Sequence, residues 1–243
     1  MTNALTKDAF LGGRLHLWQP AQGYRAGVDP VLLAASVPAK SGESVLDLGC
    51  GAGAAALCLG ARVPGLVLIG VERQAEYATL ARRNGLSVVE ADLAHLPQEV
   101  KAQRFDHVLA NPPYFDRAAS TAASNQGREG ALGQDTPLAT WIEVAAKRLA
   151  PGGYLHLIHR AERLPELLAL TQDVLGSLEV LPLYPRPGKT ASLIILRARK
   201  GGRAAFKLHP PIILHDGPRH RRDGEGYSAE IEAVLRDAAP LRH

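Results

Sequence analysis

The sequence predicts an α/β protein: a doubly wound, mostly parallel sheet of seven strands with an antiparallel last strand. Three observations predict it. Short apolar, β-branched runs alternate with helical patterns from residue 44 onward, the pattern of a parallel sheet with helices on both faces. Several runs end in an isolated polar residue, as strand tips do at an open sheet edge. The last two runs are joined by about five residues, too few for a crossover, so that pair reads as a hairpin.

The runs are SVLDLG (44–49), LVLIGVE (66–72), LSVVEAD (86–92), FDHVLAN (105–111), GYLHLIHR (153–160), LEVLPLYP (178–185) and ASLIILRA (191–198). Between the first six lie AALCLGARV, QAEYATLARRNG, LATWIEVAAKRLAPGG and AERLPELLALTQDVLGSL. The second and third of these helical patterns close on glycine, a common helix stop. Residues 44–200 form the core, with an N-terminal extension at 1–43 and a C-terminal extension at 201–243 in the same globular unit. In the first, Asp29-Pro30 reads as a helix start, with Asp as cap and Pro in the first helical position. In the second, KLHPPIILHDG is strand-like and SAEIEAVLRDA is an amphipathic helix. The polar stretch 116–137 directly follows two prolines; a loop this long in a compact domain is functional or mobile, and mobility without a partner is expected.

At 46% hydrophobic and 21% charged residues, the chain has the composition of a soluble globular protein. No run approaches the ~18–20 apolar residues that span a bilayer. The first ten residues lack a signal peptide's basic start and apolar core, so a cytoplasmic location is expected. Cys50 and Cys58 have neither metal-ligand nor CxxC spacing and read as small buried side chains. His209, His215 and His220 also lack ligand spacing, so no metal is expected.

Net charge is +4, but the charges are unevenly distributed. Up to residue 120, eleven basic and eleven acidic residues balance. From Tyr184 to Asp223 there are ten Lys or Arg, among them Arg219, Arg221 and Arg222, against Asp216 and Asp223 alone. Positive charge concentrated on one segment points to a polyanion partner.

The candidate site begins at VLDLGCGAGAAALCLG, which reads as strand, glycine turn and helix. Gly49, Gly51 and Gly53 are spaced G-x-G-x-G, not the G-x-G-x-x-G of a dinucleotide site. Asp47 just before the turn would repel a diphosphate and suits a cationic or ammonium-bearing ligand. Glu72, at the next strand tip, could accept both hydroxyls of a ribose; the alternative is an exposed strand-end charge. Asp92, at the third tip, could accept from an adenine amino group or cap a helix. The fourth tip carries Asn111-Pro112-Pro113-Tyr114, where the prolines stop the strand. Asp47, Glu72, Asp92 and Asn111 thus fall at the carboxyl ends of the first four strands, where ligands of open α/β sheets bind.

DLGCGAG followed by Glu72, Asp92 and NPPY resembles the class I, S-adenosylmethionine-dependent methyltransferases of Rossmann-like fold. NPPY resembles the motif of the branch that methylates planar amino groups. Upstream, Gln19 and QGYRAGVDPVLLAA (22–35) resemble the entry segment of the bacterial adenine-N6 methyltransferases acting beside the valine tRNA anticodon. ILHDG and GYSAEIEAVLR resemble that group's ending, from which the chain departs between Pro218 and Glu225.

The resemblance implies an N-methyltransferase with S-adenosylmethionine as cofactor and RNA, a tRNA, as substrate. It implies donor contacts from Asp47, Gly49, Gly51, Gly53, Glu72, Asp92 and Asp29, the last on a helix that lids the cofactor site. Asn111 and Pro112 would accept the two amino hydrogens and Tyr114 would stack on the base. Pro113, Tyr24, Arg25, Arg219, Arg221 and Arg222 would contact substrate. Alternatives are a protein glutamine methyltransferase, which the short N-terminal extension disfavours, a guanine-N2 methyltransferase, and an RNA-binding module with a relic pocket.

Overall fold

The computed structural model describes residues 4–114, 136–217 and 226–241. The predicted runs appear as β3 (Ser44–Leu48), β4 (Val67–Glu72), β5 (Ser87–Glu90), β6 (Phe105–Ala110), β7 (Leu149–Arg160), β8 (Gly176–Tyr184) and β9 (Leu193–Arg199). They lie in the order β8-β9-β7-β6-β3-β4-β5. β3, β4, β5, β6 and β7 are parallel, while β9 slots between β7 and β8 antiparallel to both. The short join between β8 and β9 therefore makes the expected hairpin. The strand-like piece near the C-terminus is two fragments, β10 (Lys207–Leu208) and β11 (Ile212–Ile213), both parallel to β8. Pro210 and Pro211 between them carry no N–H for the ladder.

The helices are α1 (Asp29–Ser36), α2 (Ala54–Arg62), α3 (Ala75–Arg83), α4 (Gln98–Lys101), α5 (Leu138–Arg148), α6 (Leu164–Gln172) and α7 (Ala229–Asp237). Successive strand residues point to opposite faces, and both faces are covered. Leu46, Leu48, Val108 and Leu155 pack under α5 and α6 with Trp141, Ile142 and Leu167. Val45, Leu109, Ile158 and Leu181 pack under α1, α2 and α7 with Leu32, Leu59 and Ile231. α3 joins α2 over Cys50, Ala81 and Leu86.

Three local readings differ from expectation. β7 starts at Leu149, not at residue 153, because LAPGG extends the strand past an irregular register between Phe105 and His107. The N-terminal extension holds an antiparallel hairpin, β1 (Leu5–Phe10) with β2 (Leu15–Pro20), which the sequence reading did not assign. Gly12 turns it at φ 66°, and a side chain there would strike the Arg236 carbonyl of α7 at 2.4 Å. Asp29 does not cap α1: the residue before the helix is Val28, no side chain caps the end, and Asp29 sits in the first turn ahead of Pro30. By contrast, Ser228 caps α7, accepting from the Ile231 N–H.

Candidate active site

The strand tips of β3, β4, β5 and β6 share one sheet edge because their registers run together: Leu48 lies opposite both Val71 and Ala110, and Glu72 opposite Glu90. A cavity of about 250 Å³ opens there. Its walls come from the glycine turn, the β4 tip, Asn111 to Tyr114, and the segment leading into α1.

The glycine turn is built by backbone conformation. Gly49, Gly51 and Gly53 have φ of 60°, 55° and 89°, a left-handed region that side chains disfavour. A Cβ on Gly49 would lie 2.3 Å from the Trp141 ring, which packs against the turn from α5. The Cys50 N–H donates to the Val71 carbonyl at 3.0 Å, extending the strand pairing into the turn. Glu72 braces the turn from β4: one carboxylate oxygen accepts from the Gly51 N–H at 2.9 Å, the other from the Gln74 N–H at 2.8 Å. A carboxylate has about four lone-pair sites, so both oxygens keep capacity for a ligand.

Asp47 is 2% exposed and accepts one hydrogen bond, from the Ala56 N–H of α2 at 3.2 Å. Burial raises its pKa to about 7; the Ala56 bond opposes this and the Glu72 charge adds to it. A buried carboxylate held near neutrality, on the wall of a cavity and without a cationic partner among the described residues, gains most from a positively charged ligand.

The fourth tip differs. Among the described residues, the Asn111 side chain makes no hydrogen bond, although it lines the cavity. Pro112 and Pro113 stiffen the turn and offer no N–H. Tyr114 closes it, its hydroxyl donating to Asp29 Oδ2 at 2.6 Å.

Of the residues singled out from sequence, Asp47, Gly49, Gly51, Glu72, Asp29, Tyr24, Asn111, Pro112, Pro113 and Tyr114 line this one cavity. Gly53 does not; it is the residue that enters α2, where a Cβ would come within 3.2 Å of Leu57 and Leu86. Asp92 does not either. Its carboxylate caps a 3-10 turn by accepting from the Ala94 N–H at 2.8 Å and faces Arg73 at 3.7 Å, while its neighbours Ala91 and Leu93 line the wall. Arg25 points away to Asp8 at 2.7 Å. Burial disfavours an ionised Asp8, but bonds from Arg25 and Gln19 outweigh it and hold the carboxyl below its usual range. Arg219, Arg221, Arg222 and nearly all of 116–137 lie outside the described residues.

Among the described residues, three cations of the basic stretch have partners within the protein. Arg186 donates to the Asp216 and Gly217 carbonyls, and Arg197 and Lys207 both face Glu179, at 2.6 and 3.7 Å. The two cysteines are buried and free. Among the described residues, no group of three or more His, Cys, Asp or Glu could hold a metal.

Among the wall residues that the sequence reading passed over are Tyr77, Gln74 and Trp141. Tyr77 donates to the Tyr24 carbonyl at 3.0 Å and so pins the entry segment. Gln19, cited only for resemblance, is 2% exposed and accepts from the Ala26 N–H at 2.8 Å.

The methyltransferase small domain model matches residues 26–181. The chain belongs to that family and is a class I, S-adenosylmethionine-dependent methyltransferase. Among curated proteins, it is 31% identical to a tRNA1(Val) (adenine(37)-N6)-methyltransferase of Yersinia enterocolitica, over 88% of this chain and 85% of that one. It is 26% identical to the protein of the same name from Dickeya chrysanthemi, over 97% and 96%. Among solved structures, an Agrobacterium tumefaciens protein described as a predicted O-methyltransferase superimposes with TM-score 0.71 at 28% identity, over 88% and 98% of the two chains. A Thermus thermophilus 16S rRNA N2 G1207 methyltransferase, solved with AdoMet and guanosine, shares the fold at TM-score 0.54 and 22% identity, over 81% of this chain and 50% of that one.

Proposed function

We propose that this protein transfers a methyl group from S-adenosylmethionine to the exocyclic N6 amino group of an adenine in RNA, specifically a tRNA. The observation that carries the reading is Asn111: a side-chain amide without a hydrogen-bond partner among the described residues, on a proline-stiffened tip, in the same cavity as Asp47 and Glu72. The curated relatives that span most of the chain bear the same activity in their names.

The cavity residues suit the donor. Asp47 would take its positive charge, Glu72 its ribose hydroxyls through the remaining lone pairs, and the turn at Gly49 and Gly51 lets backbone approach closely. Ala91 and Leu93 give an apolar wall for its base. Residues 1–43 act as a lid on this seat. When bound, S-adenosylmethionine supplies an electrophilic methyl group on a sulfonium.

The acceptor amine is a poor nucleophile because its lone pair is delocalised into the ring. The Asn111 side-chain oxygen and the Pro112 carbonyl accept its two hydrogens and turn the lone pair toward the donor. Positioning of this kind lowers a barrier without a strong base. Asn111 cannot take up a proton, so the proton that the nitrogen sheds passes to water. Tyr114 gives the base a stacking surface, worth ~1–3 kcal/mol. No helix among the described residues is long and apolar enough to cross a membrane, and the protein works in the cytoplasm with its RNA.

The test is incubation with methyl-labelled donor, unmodified tRNA and a protein lysate. Label in the tRNA fraction is expected; label confined to protein would overturn the reading.

A further inference from the structure

Asp29 and Tyr114 are 85 residues apart in sequence and share one short hydrogen bond, 2.6 Å from the phenol oxygen to Asp29 Oδ2. Both line the cavity, Asp29 from the first turn of α1 and Tyr114 from the end of the β6 tip. Asp29 makes no other side-chain hydrogen bond among the described residues, and it does not cap its helix. Its carboxylate is committed to the phenol. Burial, then the Asp29 charge, push the Tyr114 hydroxyl far above the usual phenol range, so it stays protonated and donates at any working pH.

The surroundings of the ring make this bond consequential. The His159 ring lies 5.1 Å away, tilted by 60°, and the Arg160 guanidinium is 5.8 Å from the Tyr114 centroid. The backbone before Tyr114 is held by two prolines. The phenol oxygen is the far end of the side chain, so a bond there sets the plane of the ring. A flat base stacks productively only if that plane is set before it arrives.

We infer that Asp29 is a positioning residue for the acceptor: by holding the Tyr114 phenol, it sets the aromatic surface on which the target base lies, and it does not itself bind the donor. This rests on the acceptor reading of Asn111 to Tyr114 given above. It ties the N-terminal lid to the acceptor tip through one bond, and it separates Asp29 from the donor-binding acids Asp47 and Glu72.

The experiment is a double-mutant cycle with Asp29→Ala, Tyr114→Phe and the pair, on the full chain, with Asp29→Asn as the conservative variant. Acceptor kcat and KM are measured beside S-adenosylhomocysteine affinity by calorimetry. A hydrogen bond to a charged group is worth about 1.5–3 kcal/mol, so each single variant should lose roughly 10- to 100-fold in acceptor kcat/KM. The double variant should fall no more than about twofold below the worse single variant, since the two residues act as one unit. Asp29→Asn, which keeps an oxygen to accept from the phenol, should recover most of the loss. S-adenosylhomocysteine affinity should stay within about twofold throughout. Multiplying losses in the double variant, a tenfold loss of S-adenosylhomocysteine affinity in Asp29→Ala, or an Asp29→Asn as impaired as Asp29→Ala would each overturn the inference. Wild-type turnover on tRNA reports separately on the proposed function, and the cycle can be run on whichever acceptor the wild type methylates.

Discussion

The two halves of the cavity are built differently. On the side proposed to seat the donor, the polar groups already serve the fold: Glu72 holds two backbone amides, Asp47 holds one, and Gly49 accommodates the Trp141 ring. On the acceptor side, Asn111 holds nothing among the described residues, and Tyr114 holds only Asp29 through its hydroxyl. Changes on the donor side should therefore damage structure and binding together. Changes at the acceptor tip should remove chemistry and leave the protein otherwise intact.

The sharpest way to break this contrast is Asn111→Ala. Turnover should fall by about 10³-fold or more, on the scale of losing a transition-state hydrogen bond, while S-adenosylhomocysteine affinity stays within about threefold and the melting temperature is unchanged. Equal loss of turnover and donor affinity, by kinetics and calorimetry, would make Asn111 part of the donor seat.

Asp47→Asn should cost donor affinity roughly 10- to 100-fold. The pH dependence sharpens the point. Folding raises the Asp47 pKa from 3.8 to about 7. In the free protein its contribution to stability is therefore full below about pH 4 and is lost as pH rises through about 7. A cationic ligand prefers the ionised form, so donor affinity should climb as pH rises from about 6 to 8. Calorimetry across that range should show the climb in the wild type and a flat profile in Asp47→Asn.

Gly49→Ala tests the structural share of the donor side. The left-handed φ costs about 1–3 kcal/mol, and the contact with Trp141 adds to it. The melting temperature and the donor affinity should fall together; affinity lost at an unchanged melting temperature would contradict the shared role.

The smallest effects are expected from the basic stretch, and they divide. Arg197 already pairs with Glu179, so Arg197→Ala should leave the salt dependence of RNA binding unchanged. Removing Arg219, Arg221 and Arg222 together should flatten the slope of log K against log salt by up to about 3. A flatter slope from Arg197→Ala and none from the triple variant would reverse the assignment.

The sheet was legible because its signals are local. A parallel strand buried on both faces carries a run of apolar residues, as in LVLIGV (66–71) and VLA (108–110). The glycine turn announced itself through residues that only a left-handed backbone requires. What escaped depended on long-range contacts. The hairpin over residues 5–20 is the exception: it is local, but LTKDAF does not alternate apolar and polar residues and its strand is only partly buried, so Gly12-Gly13 had no period-two flank to mark it. Asp92 stayed open between ligand contact and cap, and Arg25 read as a substrate contact, because a charged residue's position in the chain does not reveal which way its side chain turns. Within the run of cations from 184 to 223, the fold sends Arg186 to backbone carbonyls and Arg197 and Lys207 to a shared glutamate, pairings that no local pattern announces.

The most direct test of the central claim, that the Asn111 tip presents an adenine amino group to the donor seat, is the identity of the methylated nucleoside. Unmodified tRNA treated with the protein and S-adenosylmethionine, digested to nucleosides and resolved by mass spectrometry, should yield N6-methyladenosine, and none with Asn111→Ala. N2-methylguanosine in its place, or N6-methyladenosine formed at the wild-type rate by Asn111→Ala, would contradict the account.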